Sequence, residues 1–335
     1  MATTSMTASV MRSPSFVFWP AQGPASVGAW IALPDRMQPG ADPFVVVHGI
    51  KRSARSAAEG FAEQALAQGR PVIAPEFTEA CWPLYQQVVR QGRADLALLG
   101  LMQGCRAAGI WQSARFDLCG YSGGAQFAHR FAMLYPHLIG HLTLISAGWY
   151  TFPDMAPFPY GLGQQRRGRR AKGPSEREKP CWGPRLAAGI GAFLDLPIDV
   201  AVGGRDVVAD AHLRRGVRLD RQQGITRLQR ARSWVAALGA VAADLRRPPP
   251  RIRLTIVEAA DHDLNACLDG GTLAALAVGP GPGASPGQGA GPGLGPGQGA
   301  ASGIASVRRR QQATATLGAA GIVRPGTAPM AVVPE

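Results

Sequence analysis

Lysine is nearly missing from this chain: among 335 residues only Lys51, Lys172 and Lys179 are lysine. Arginine carries the basic side, and 35 Lys+Arg against 22 Asp+Glu leave a formal net charge of +13. Such an excess invites a nucleic-acid reading. No helix-turn-helix, zinc-finger or aromatic RNA-binding signature accompanies it. The charge therefore reads as a bias toward Arg, Gly, Ala and Pro, and no nucleic-acid partner is expected. Long apolar runs are also missing. No stretch reaches eighteen apolar residues, so no transmembrane helix and no membrane partner are expected. The first twenty residues, MATTSMTASVMRSPSFVFWP, lack an uninterrupted apolar segment and are not read as a secretory signal. Cysteine is sparse and odd in number: Cys81, Cys105, Cys119, Cys181 and Cys267, with no C-x-x-C pair. That set fits reduced thiols and a cytoplasmic setting, not a disulfide framework. Oligomeric state leaves no trace in the sequence.

What is present is a strand–turn–helix at residues 116–135, FDLCGYSGGAQFAHRFAMLY. Phe116 to Cys119 is a short apolar run with the bulk of a buried strand. Gly120-Tyr121-Ser122-Gly123-Gly124 is a G-x-S-x-G turn. Phe127, Ala128, Phe131, Ala132 and Leu134 then recur at helical spacing, and Pro136 ends the run. Gly120 and Gly124 keep side chains out of a place where strand and helix nearly collide. Gly123 presents its backbone N–H beside the serine at a helix start. With 43 glycines in the chain, a G-x-S-x-G by itself could be only a glycine-rich turn.

The surrounding chain alternates strand and helix. Phe16–Trp19 and Val27–Leu33 read as an early hairpin or edge pair. Pro43–Val47 is a nearly continuous β-branched run, as in a strand buried on both faces. A helix over 53–68, with Ser53 as its N-cap, precedes a strand over 71–75. A helix over 93–108, the elbow, and a strand over 141–145 follow. Residues 152–186 interrupt the pattern with Pro, Gly and Arg, and are read as an excursion across the strand ends. A strand over 198–202, a helix over 225–245, a strand over 253–257 and a closing helix over 263–278 resume it. This order predicts a mostly parallel, doubly wound sheet with right-handed crossovers. In such sheets the ligand site lies at the carboxyl ends of the strands, where His48, Ser122 and Trp149 fall. Beyond Val278 the near-repeat GPGASPGQGA/GPGLGPGQGA has no helical or strand period. The expected division is a domain over 1–278, with a cap-like excursion over 152–190, and a Gly/Pro-rich disordered tail over 279–335.

The elbow resembles the nucleophile elbow of the α/β-hydrolases, and an α/β-hydrolase fold is therefore expected. That resemblance covers about residues 44–278. It implies a base and an orienting acid in the chain order Ser–Asp–His, and Ser122, Asp206 and His262 stand in that order after strand ends. Asp206 follows its strand through Gly203-Gly204-Arg205, and Asp210 competes for the acid role. It also implies an oxyanion hole made by the Gly123 N–H and an N–H of the loop His48-Gly49-Ile50. Ile50 is the candidate for the second N–H, with Lys51 as the alternative. VVVHGIKRSA, CGYSGGAQFAHRFA and ISAGWYTFPD are similar to the polyhydroxybutyrate-depolymerase and feruloyl-esterase-like branch. Two departures stand out: Asp261 replaces the usual Gly before the histidine, and arginine crowds the excursion at Arg166, Arg167, Arg169 and Arg170. The resemblance implies a serine hydrolase of carboxylic esters, with a small-molecule or polymeric substrate, no cofactor and no metal. A peptidase or amidase, or a silent binding protein of the same fold, is the alternative. His48, Gly49, Tyr121, Trp149 and Tyr150 are the expected substrate-pocket residues.

Overall fold

A computed structural model describes residues 14–23, 25–89, 92–164, 182–208, 210–268 and 271–279. Among them, eight strands form one sheet: β1 Phe16–Trp19, β2 Ala29–Ala32, β3 Phe44–Val47, β4 Val72–Pro75, β5 Phe116–Tyr121, β6 Ile139–Ile145, β7 Ile198–Gly203 and β8 Ile252–Val257. Their spatial order is β1-β2-β4-β3-β5-β6-β7-β8. β1 and β2 pair antiparallel, β2 pairs antiparallel with β4, and every pair from β4 to β8 is parallel. The expected edge pair and doubly wound sheet are both present.

The helices are α1 Ala54–Ala67, α2 Ala94–Ala107, α3 Gly123–Leu134, α4 Trp182–Leu194, α5 Val217–Gln223, α6 Arg227–Asp244, α7 Leu264–Leu268 and α8 Thr272–Val278. The side-chain alternation of the strands sorts them onto two faces. Phe44 and Val46 join the Ala57, Phe61 and Leu273 cluster of α1 and α8, whereas Val45 and Val47 join α2, α3, α4 and α6 on the other face. Both faces of β3 and β4 are thus buried, which is why those two strands read as unbroken apolar runs. α3 packs against β5, β6 and α4, and its residues 123–133 are all buried. Small and aromatic side chains all round that helix suit a position inside the molecule.

The structure departs from the expected boundaries in three places. α4 starts at Trp182 and packs on α3, so residues 182–190 are flanking helix and not part of an excursion. The closing helix is two helices, parted at Gly271, which takes φ 71°. α5 has no counterpart in the expected pattern. Ser53 stands at the N-cap of α1 but its hydroxyl makes no capping bond. The arginine cluster of 166–172 and the Gly/Pro-rich tail beyond Gly279 lie outside the described residues. Among the described residues no helix is long and apolar enough to cross a membrane.

Candidate active site

Parallel pairing brings the two critical loops together. Val47 at the end of β3 pairs with Gly120 in β5, so the chain leaving β3 runs beside the chain leaving β5. β3 is also the strand at which the order reverses, with β4 on one side and β5 on the other. This is the crevice that doubly wound sheets offer to ligands.

The turn at Ser122 is tight enough to dictate its neighbours. A Cβ on Gly124 would collide with the carbonyl oxygen of Val47, and one on Gly120 with that of Gly124. Ser122 itself takes φ 53° and ψ −110°, a strained conformation for a residue with a side chain. Its N–H donates to Ile145 O at 2.8 Å, which ties the turn to β6.

Ser122 Oγ lies 3.1 Å from His262 Nε2, and His262 Nδ1 lies 3.0 Å from Asp206 Oδ2. A carboxylate only accepts, so Nδ1 carries the proton and Nε2 is left to accept from the serine. Asp206 and His262 meet because β7 and β8 pair through Gly203 and Val257. The loops after them stay joined: Gly204 N donates to Val257 O and Arg205 N to Ala260 O, both at 2.9 Å. The Tyr121 ring stacks on His262 at 5.4 Å, and its hydroxyl donates to His262 O at 3.0 Å. Asp210 is turned elsewhere. It meets the Arg227 guanidinium at 2.9 Å, and Arg227 meets Asp206 Oδ1 at 3.0 Å.

Gly123 is the first residue of α3, so its N–H has no partner within the helix. A Cβ placed on Gly123 would sit 3.4 Å from Ile50 N and would crowd the Tyr85 hydroxyl. The Ile50 amide nitrogen therefore lies close to the Gly123 backbone. His48 sets the geometry of the Ile50 N–H. Phe77 N–H donates to His48 Nε2 at 3.1 Å, so Nδ1–H donates to Gly49 O at 2.7 Å. Holding the Gly49 carbonyl fixes the plane of the Gly49–Ile50 peptide and turns the Ile50 N–H the opposite way. Tyr85 Oη donates to His48 O at 2.6 Å and braces the same loop. Burial pulls the His48 pKa down to about 4, despite its bond to Gly49.

A cleft of about 330 Å³ opens at Ser122. Gly49, Ile50, Lys51, Tyr121 and Ser122 line one part of it, and Asp210, His212, His262, Leu264 and Asn265 another. Of the expected pocket residues, Gly49 and Tyr121 are there. His48, Trp149 and Tyr150 are not in its lining. His48 is fully buried behind the Gly49–Ile50 loop. Tyr150 stacks on Trp234 at 4.6 Å, with its backbone held by the Gln223 amide. Trp149 covers the Arg130 guanidinium at 4.0 Å. Arg130 is itself buried, donating to Thr151 Oγ1 and to the carbonyls of Gln86 and Gln126, and burial lowers its pKa to about 9. Phe152 and Phe158 are core residues as well. These aromatics pack the start of the excursion onto the sheet.

His212 belongs to the cleft although it follows no strand end. Arg227, Tyr85 and Ser56 also escaped sequence reading. A single arginine gave no signal in an arginine-rich chain, and the other two carry no motif. Among the described residues no group of three or more His, Cys, Asp or Glu could hold a metal ion.

No protein-family model matches the sequence, and no curated protein does either. Solved structures do match. A poly(aspartic acid) hydrolase-1 from Sphingomonas sp. KT-1 aligns over 76% of this chain and 96% of its own, with a TM-score of 0.64 and 23% identity. A poly(3-hydroxybutyrate) depolymerase from Bordetella parapertussis aligns over 78% and 90%, with a TM-score of 0.62 and 23% identity. A fluorophosphonate-binding serine hydrolase from Staphylococcus aureus aligns over 80% of this chain and all of its own, at 0.50 and 11% identity. The chain has the α/β-hydrolase fold that the elbow led one to expect.

Proposed function

We propose that the protein is a serine hydrolase that cleaves carboxylic esters through an acyl-enzyme. The observation that carries this reading is the unbroken chain Ser122 Oγ–His262 Nε2, His262 Nδ1–Asp206, with the Gly123 and Ile50 backbones close together beside it. Ser122 Oγ attacks the ester carbonyl while His262 Nε2 takes its proton. The oxygen becomes an oxyanion and accepts from the N–H groups of Gly123 and Ile50. Asp206 holds the imidazole in the Nδ1–H tautomer and stabilises the imidazolium. Collapse of the adduct expels the alcohol, which takes the proton from His262. Water, deprotonated by His262, then attacks the acyl group and frees Ser122.

A second reading is amide cleavage by the same groups. The likeness to a protein named for hydrolysis of poly(aspartic acid) favours it and also brings polyacids into consideration. For the anionic class, Lys51 adds a cation at the cleft. The cleft of about 330 Å³ suits one residue of a polymer or a small ester. A cytoplasmic setting accords with the free thiols of Cys81, Cys105, Cys119 and Cys267.

A fluorophosphonate probe should label wild-type protein and leave Ser122→Ala unlabelled. Absence of labelling in folded wild type would point to a silent binding protein. A p-nitrophenyl ester panel beside peptide anilides orders the two activities. Faster amide turnover at matched leaving groups would put amides ahead of esters. Anionic and neutral esters compared at low and high salt test the acidic preference, since salt screens exposed charges.

A further inference from the structure

Two carboxylates close on the guanidinium behind the candidate triad. Arg227 begins α6, and its side chain is 2% exposed. Nη1 donates to Asp206 Oδ1 at 3.0 Å, and Nη2 reaches Asp210 Oδ2 at 2.9 Å and Oδ1 at 3.1 Å. Asp206, with its side chain 1% exposed, gives its other oxygen to His262. Asp210 keeps 35% of its side chain exposed and lines the cleft beside His262. Four groups thus stand in series: Asp210, Arg227, Asp206 and His262.

The charges in that series explain its length. General-base catalysis makes His262 an imidazolium, which Asp206 must stabilise. Arg227 bound to Asp206 alone would oppose that by placing a buried cation close to the new one. Asp210 restores the negative charge. With it, the series goes from singly negative to neutral as His262 takes its proton; without it, from neutral to singly positive. Burial works against the charged form of Asp210, but Arg227 and the His212 N–H, 2.8 Å away, hold its carboxyl below the usual range.

Other ionisable groups face His262 as well. Tyr121 from β5 stacks on it, with its phenol pushed well up by burial. The Cys267 thiol of α7 is pushed up to about 11, again by burial. Both are neutral at ordinary pH. Asp263 accepts from Ala266 N at the start of α7, and Lys51 and His212 line the cleft. Of these groups, Tyr121 bonds to the series through its hydroxyl on His262 O, and His212 through its backbone N–H on Asp210.

We infer that Arg227 and Asp210 are positioning residues that extend the triad: Arg227 holds the Asp206 carboxylate toward His262, and Asp210 cancels the charge that Arg227 brings. The kinetic part of this inference rests on the hydrolase reading; the spectroscopic part does not. The test compares Asp210→Asn and Arg227→Lys with wild type. Asp210→Asn should keep its melting temperature and KM, lose kcat about five-fold, and move the acid limb of kcat/KM to lower pH by about half a pH unit. Arg227→Lys keeps the cation and loses the fork; it should lose kcat about ten-fold with KM and the acid limb unchanged. A merely structural role would lower melting temperature and leave the pH profile alone. NMR of the His262 ring in a Ser122→Ala background gives a reading without turnover. There Asp210→Asn should lower the midpoint of the imidazole titration by the same half unit or so. If wild type neither labels nor turns over an ester, the hydrolase reading fails, and the NMR midpoint alone decides the relay. In Asp210→Asn, an unmoved midpoint, or an unmoved acid limb in an active enzyme, overturns it.

Discussion

His48 illustrates how one side chain can serve a site without entering it. It is fully buried and neutral, and it works through the Gly49 carbonyl. Its pKa is lowered from 6.5 to about 4 by burial. Because the folded value is below the unfolded one, the unfolded chain takes up a proton first as pH falls. Stability is therefore full above about pH 6.5 and is lost between there and about pH 4, by about 3 kcal/mol for this residue. His129 adds to the loss in the same direction, since burial and Arg130 hold it well below its usual value. Urea midpoints measured at pH 7, 5.5 and 4.5 should fall progressively. The fall should be smaller in His48→Gln, and an equal fall in both proteins would remove His48 from the account. Protonation would also strip Nε2 of its bond from Phe77 N–H, so the Gly49–Ile50 loop should loosen over the same pH range.

At the scale of elements, β3, β5 and α3 act as one unit. The elbow works only if the helix starts within contact of the neighbouring strand end, and Gly124 is where the two meet. Gly124→Ala forces a methyl against the Val47 carbonyl and should cost about 1–3 kcal/mol. The same shift would part Gly123 from Ile50, so kcat on an ester should fall more than the loss of stability at 25 °C explains. Retention of both melting temperature and kcat would mean that the turn has slack. Gly100 and Gly104 provide the contrast. A Cβ on either meets nothing within 4 Å, and α2 runs unbroken through both.

For the whole molecule, we propose that the hydrolase domain ends with α8. Leu273, Ala274, Ala277 and Val278 are buried against α1 and the sheet. Arg70 donates to Val278 O at 2.5 Å and Gln68 to Gly279 O at 2.9 Å. A chain stopped after Gly279 should keep the melting temperature and fluorophosphonate labelling of the full chain. One stopped after Leu268 exposes the α1 face and should lose cooperative unfolding. A large drop in the first truncation, read by calorimetry, would extend the domain into the tail.

What the sequence determined by itself is whatever depends on neighbours in the chain. The unbroken apolar run at Phe44–Val47, the glycines around Ser122 and the helical spacing after it are short-range patterns. They sufficed for the sheet and the elbow, and the elbow's resemblance supplied the order Ser122, Asp206, His262 as an expectation. Packing across the chain decided the rest. Whether Asp206 or Asp210 faces His262 depends on the β7–β8 register and on Arg227, which arrives from another helix. Trp149 and Tyr150 follow a strand end, as pocket residues would. Arg130 and Trp234 offer them buried faces, and an aromatic ring gains more there than at a wet cleft. His212 reaches the cleft by way of a loop with no period to read. Local pattern selects the elements, because each residue's conformational preference acts within a few residues. Tertiary structure selects the partners, because a side chain's burial and charge are settled by groups that only the fold brings near.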